Sequence, residues 1–226
     1  MAKRAYNRFD EYYEELLQDI YPQPSDEWHT EEMSRIINEW VAPLGIGSVL
    51  DVGCGEGEAQ EFFLQHDIAY WGIAQGNDVI AAGTRNVSEA DFNFIDSNDN
   101  SYDLVFSRHS LEHSPFPLIT LMEWHRVSSK WLCLVLPNPA HFTFVGRNHY
   151  SVMDASQSAW ILRRAGWVIE KFRISPEELW FLCYKMPRLG PQGWAAELNR
   201  NIHEYERDIE DKHGEQNGIF SYYDNK

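Results

Sequence analysis

The chain has 226 residues, 43% hydrophobic and 14% aromatic, enough for one α/β domain with a substantial core and too apolar for wholesale disorder. A formal charge of -16 makes nucleic acid a poor partner, because binding along its backbone rests on neutralising phosphates with Lys and Arg. No apolar run reaches membrane-spanning length, no signal-peptide pattern opens the sequence, and Cys54, Cys133 and Cys183 form an odd set in apolar surroundings, so reduced thiols and a cytoplasmic location are expected.

Tyr6, Phe9, Tyr13, Leu16 and Ile20 recur at three and four residues and predict an amphipathic helix, ended by Pro22 and Pro24. Thr30 reads as the N-cap of a second helix that carries Met33, Ile36, Ile37, Trp40 and Val41 and stops at Pro43. Ser48 to Val52 is short, apolar and β-branched, as an interior parallel strand should be. Gly53, Gly55 and Gly57 follow at every second position, where a ligand could lie against bare main chain. This G-x-G-x-G run is neither the dinucleotide pattern nor a P-loop with its Lys-Ser/Thr ending. A helix over about Glu58 to Gln65 would bring its positive end to the same place.

Further strands are predicted at Ala69–Ala74, Asp91–Ile95, Asp103–Ser107 and Trp131–Leu136, with a helix over Leu118–Arg126. Asp154 with Gln157 forms a capping box that opens a helix closing at Gly166. Two last strands follow at Trp167–Ile174 and Leu179–Met186. After a breaker cluster at Leu189–Gly193, Leu198, Ile202, Tyr205 and Ile209 make a narrow apolar seam. It could dock on the body or pair with a second copy as a homodimer.

The run Val49-Leu50-Asp51-Val52-Gly53-Cys54-Gly55-Glu56-Gly57 resembles motif I of the class I S-adenosylmethionine-dependent methyltransferases. Tyr102-Asp103-Leu104-Val105 and the Leu111-Glu112-His113 segment extend the resemblance, to the methyltransferase type 11-like domain. It implies a Rossmann-like, mostly parallel seven-stranded sheet with helices on both faces, strand order 3-2-1-4-5-7-6 and an antiparallel last strand. Residues 44–187 would be that core. Residues 1–43 would be a helical extension that covers the cofactor cleft or caps the sheet, and 188–226 an acidic helical tail. The implied function is methyl transfer from S-adenosylmethionine to a small molecule or protein side chain.

By the same resemblance Asp51, Gly53, Cys54, Gly55, Gly57, Gln75, Asp96, Ser97 and Arg108 would hold the cofactor. The carboxylate usual at the end of the second strand, which takes the ribose hydroxyls, is missing. The chain reads Ile73-Ala74-Gln75, which leaves the task to Gln75 or Asp78. A non-catalytic module with a degraded cofactor site, binding partners through its terminal helices, is the alternative.

Methyl transfer from a sulfonium is an in-line displacement that needs alignment, exclusion of water, and a base only when the acceptor carries a proton. Histidines are the natural bases near neutral pH. His109, His113 and His149 are therefore candidate catalytic residues, and His141, Phe142 and Tyr150 would meet the acceptor. His109-x-x-Glu112-His113 also matches a zinc-peptidase pattern, but Pro115 and Pro117 leave too little helix for it. A divalent metal is not expected. Some members of the family do bind one through Glu and His of this segment, which here would be His109, Glu112 and His113 with His141 or His149.

Overall fold

The apolar runs assemble into one seven-stranded sheet in a computed structural model of the chain. The structure describes residues 27–75, 79–80, 82–140 and 149–186. Its elements are α1 (Glu27–Ile36), a π turn (Ile37–Val41), a 3-10 turn (Ala42–Leu44), β1 (Ser48–Val52), α2 (Gln60–Leu64), β2 (Ala69–Ala74) and β3 (Val87–Glu89). β4 (Tyr102–Arg108), a 3-10 turn (Leu111–His113), α3 (Pro117–Val127), β5 (Ser128–Pro137), α4 (Ala155–Arg164), β6 (Trp167–Ile174) and β7 (Glu178–Lys185) follow.

The strand order is β3-β2-β1-β4-β5-β7-β6, as expected. β1 pairs in parallel with β2 and β4, and β7 runs antiparallel to both β5 and β6. The winding therefore reverses at β1. In open α/β sheets that reversal opens a crevice beyond the carboxyl ends of the strands.

Side chains alternate between the two faces of each strand. Leu50, Val105, Leu132 and Leu134 join Leu121 and Trp124 of α3 and Leu162 of α4 on one face. Val49, Leu104, Phe106 and Val135 join Met33, Ile36, Trp40 and Phe63 on the other. Burial on both faces is why β1, β4 and β5 read as nearly continuous apolar runs. α1 and the π turn after it thus pack on the sheet, with Trp40 edge-on to Trp180 at 5.7 Å.

Three local expectations are corrected. α1 opens at Glu27, so Thr30 lies inside it and not at its N-cap. α2 is only five residues, because turns occupy 53–59, and the dipole expected behind the glycine run is correspondingly small. β3 is Val87–Glu89, not 91–95. Asp91 Oδ1 accepts from the amide N–H of Asn93 at 2.8 Å and from its side chain at 2.9 Å, and this local turn displaces strand geometry. Asn93 is buried there because its Oδ1 accepts from the Ser114 and Thr120 hydroxyls. The Asp154–Gln157 capping box is present in both directions, at 2.8 and 3.2 Å. The expected helix at Tyr6–Ile20 and the seam at Leu198–Ile209 lie outside the described residues.

Candidate active site

β1 ends in a turn stitched to its neighbours. The Gly53 and Cys54 amides both donate to the Ile73 carbonyl of β2, at 2.9 and 3.1 Å. Gly53 has φ +67°, and a Cβ there would overlap the Ser110 side chain, whose hydroxyl donates to the Gly53 carbonyl at 3.2 Å. The turns after β1 and β4 are therefore locked side by side. Gly55, at φ +54°, has nothing among the described residues within 4 Å of where its Cβ would stand. Cys54 is half-buried, its thiol directed at the Gly55 carbonyl at 3.5 Å, and Gly57 lies against Val87 of β3. The glycine run is thus a shelf that is closed beneath and open at Gly55.

Asp51 does not face that shelf. It shares the face of Val49, is 2% exposed, and accepts from the Tyr70 hydroxyl at 2.8 Å. Burial pushes its carboxyl up to about 7, against the opposing effect of the Tyr70 hydrogen bond. Gln75 is half-buried directly after β2, beside the buried Ala74, while Asp78 lies outside the described residues.

Asp96 and Ser97 fall at the wrong end of the sheet for a cofactor contact. Arg126, in the last turn of α3, donates to the carbonyls of Ile95 at 2.8 Å and Ser97 at 2.6 Å, and to Asp99 at 2.9 Å. The Asn100 amide donates to the Arg126 carbonyl at 2.9 Å. α3 runs from here into the start of β5, and β4 starts two residues after Asn100, so the 95–100 loop belongs to the amino edge of the strands. Asp91 and Phe92, two and three residues beyond Glu89, are the side chains that follow the carboxyl end of β3.

Arg108 and His109 converge on a residue that local reading missed. Arg108 donates to Glu178 Oε1 through Nε at 3.0 Å and Nη2 at 2.7 Å, and His109 Nε2 lies 2.9 Å from the same oxygen. The Trp180 indole donates to Oε2 at 2.7 Å. Burial alone would raise the Glu178 carboxyl. The His109 hydrogen bond, the Arg108 charge and the indole outweigh it and hold it at about 2. Glu178 opens β7 and meets Pro137 only through the antiparallel β5–β7 register, so nothing near Arg108 in sequence announces it.

The Glu112 carbonyl accepts from the amides of Tyr150 at 2.7 Å and Ser151 at 2.9 Å, which straps 149–151 beside the 3-10 turn. His113 and His149 meet edge to face at 4.7 Å between ring centres. The Glu112 side chain is 1% exposed, and among the described residues neither carboxylate oxygen has a hydrogen-bond partner. His109 Nδ1 stands 3.7 Å from Glu112 Oε1. One donor atom each from Glu112, His113 and His149 lie within 4.8 Å of one another. His109 is outside this set, and the 3-10 turn is three residues long, so the zinc-peptidase geometry does not form. Tyr150 is exposed, and His141 and Phe142 lie outside the described residues.

A doubly wound sheet with β7 inserted antiparallel between β5 and β6, and a glycine turn after β1, defines a class I methyltransferase fold. Residues 50–130 match a family model described as a methyltransferase domain. Among solved structures, the chain resembles Burkholderia thailandensis 1,6-didemethyltoxoflavin-N1-methyltransferase, seen with that compound and S-adenosylhomocysteine. Identity is 17% and the TM-score 0.61, over 83% of this chain and 93% of that one. It resembles an S-adenosylmethionine-dependent methyltransferase from Aquifex aeolicus at 18% identity and TM-score 0.53, over 72% of this chain and 100% of that one. It also resembles a complex of the Haloferax volcanii Trm112 methyltransferase activator with a putative methyltransferase, at 14% identity and TM-score 0.58, over 80% of this chain and 98% of that one. No curated protein matches in sequence. Residues 50–130 thus resemble a methyltransferase domain, and the chain shares the fold of S-adenosylmethionine-dependent methyltransferases.

Proposed function

We propose that the chain transfers a methyl group from S-adenosylmethionine to a small molecule or a protein side chain. The observation that carries this reading is the Gly53–Gly57 shelf, locked by Ile73 and Ser110 and open at Gly55, inside the methyltransferase domain. The adenosyl group would lie over Gly55, with Gln75 toward the ribose and Asp91 and Phe92 at the adenine. The carboxyl-end crevice of the sheet supports giving Asp91 the role first expected of Asp96. The acceptor would sit between the 3-10 turn and the 149–150 strap, with His113 and His149 at its reacting end and Tyr150 beside it. His109, tied to Glu178, would be a positioning residue. The cofactor supplies an already activated methyl carbon; these residues would bind, align and exclude water.

Ala74 at the end of β2 favours a second reading, in which the same fold binds partners without catalysis. Calorimetry with S-adenosylmethionine and S-adenosylhomocysteine separates the two. Stoichiometric binding of both supports the enzyme, and no heat from either at high concentration supports the binding module. A screen of metabolite extracts for cofactor-dependent gain of one methyl mass then names the acceptor.

A further inference from the structure

We infer that residues 198–209, the apolar seam that follows the core, dock as a helix on the outer face of α3 and α4 of their own chain. The last described residue points there. The Met186 carbonyl accepts from His125 Nε2 of α3 at 2.9 Å, and Arg163 Nη1 of α4 donates to the Met186 sulfur at 2.9 Å. The Met186 amide donates to the carbonyl of Gly166, just past α4, at 2.9 Å. α3 and α4 pack side by side. They lead into β5 and β6, which both run antiparallel to β7, so their last turns lie at one edge of the sheet. The chain leaves the fold between those two last turns.

One turn back from these anchors, both helices turn large apolar side chains to solvent. Met122 is three residues before His125 and Ile119 three before Met122, and they are 40% and 49% exposed. Trp160, three before Arg163, is 37% exposed. Residues three apart on a helix are surface neighbours. The rows 119–122–125 and 160–163 therefore run back from Met186 along adjoining helices. Single exposed apolar residues are ordinary; two rows of them at the exit point of an amphipathic segment mark a face that fits it.

Charge and reach agree. Arg163 and Arg164 stand in the last turn of α4, and the Arg164 guanidinium stacks on the Trp160 ring at 5.5 Å. At helical spacing Glu206 and Asp208 border the seam of Leu198, Ile202, Tyr205 and Ile209, while Arg200 and Arg207 fall on the opposite side. Laid on α3 and α4, the seam would meet Ile119, Met122 and Trp160, and an acidic border would meet Arg163 and Arg164. Gly190, Pro191 and Gly193 let the intervening chain turn back. At ~3.5 Å per residue, residues 187–197 reach far beyond the ~15 Å length of α4. A second copy is the weaker occupant. A formal charge of -16 sets copies in mutual repulsion, and the direct connection holds the seam at high effective concentration beside its own helices. The docking stands whether or not the methyl-transfer reading holds.

The test is hydrogen–deuterium exchange by mass spectrometry on the full chain, with sedimentation velocity at the same concentrations. Amides of 198–209 should exchange at least tenfold slower than in a synthetic peptide of residues 194–212, in a monomer and independently of concentration. Met122→Glu and Trp160→Glu, both at exposed positions, should each reduce that protection at least fivefold with melting of the core still cooperative. From the other side, Ile202→Glu should speed peroxide oxidation of Met122 at least threefold and leave the buried Met33 unchanged. Seam amides that exchange as in the peptide overturn the inference. So do protection kept in both face variants and Met122 oxidation unmoved by Ile202→Glu. Protection that appears only as dimers form assigns the seam to a second copy and overturns it too.

Discussion

Arg108 at the end of β4 and Glu178 at the start of β7 share one carboxylate oxygen through two hydrogen bonds, with His109 on the same oxygen. This node ties the turn that carries the histidines to the edge hairpin. It positions His109 at φ +52°, a backbone conformation unusual for a non-glycine residue.

Glu178→Gln removes the charge that Arg108 and the His109 ring face. Breaking a buried pair typically costs about 3–5 kcal/mol. The Glu178 carboxyl sits at about 2 in the fold against 4.5 ordinarily. Its stabilisation is therefore complete above pH 4.5 and is lost as pH falls from 4.5 toward 2. Urea unfolding should show the variant several kcal/mol weaker than the wild type at pH 7, with the gap narrowing at pH 3. A constant gap would contradict the assignment.

Asp51→Asn should stabilise the fold at alkaline pH. The carboxyl is raised from 3.8 to about 7, so its favourable contribution is present below pH 4 and lost as pH rises to 7. The variant keeps an acceptor for the Tyr70 hydroxyl and has no charge to bury. It should equal the wild type near pH 4 and exceed it by up to ~4 kcal/mol above pH 7, at ~1.4 kcal/mol per tenfold change in proton affinity. Melting temperatures across that range read the difference.

Gly53→Ala and Gly55→Ala should fail in different ways. At Gly53 the new methyl collides with Ser110, and the fold should be lost or severely weakened, with Ser110→Gly restoring part of it. At Gly55 the only structural cost is the positive φ, about 1–2 kcal/mol. The methyl then projects over the proposed adenosyl shelf. Gly55→Ala should fold and lose at least tenfold in S-adenosylmethionine affinity by calorimetry.

Asp91→Asn keeps an oxygen for the Asn93 turn but loses the carboxylate charge. A hydrogen bond to a charged group contributes about 1.5–3 kcal/mol, so cofactor affinity should fall roughly ten- to hundredfold. Asp96→Ala, at the opposite edge of the sheet, should leave affinity unchanged. The reverse ranking in calorimetry would restore Asp96 to the site.

What the amino-acid order determined was local or repetitive. The apolar runs of β1, β2, β4 and β5, the glycine turn and the Asp154 capping box are each specified within a few residues, and each forms where the pattern puts it. The strand expected at 91–95 does not form, because the Asp91 carboxylate offers the Asn93 amide the hydrogen bond that a strand would have found in a neighbour. Tertiary structure alone decided which polar groups share a site. Glu178 reaches Arg108 across 70 residues because β7 inserts antiparallel beside β5, and Asp51 turns to Tyr70 because strand parity gives it the face of Val49. Charges and donors separated this far along the chain become partners only when sheet register places them, and no short-range pattern encodes that register.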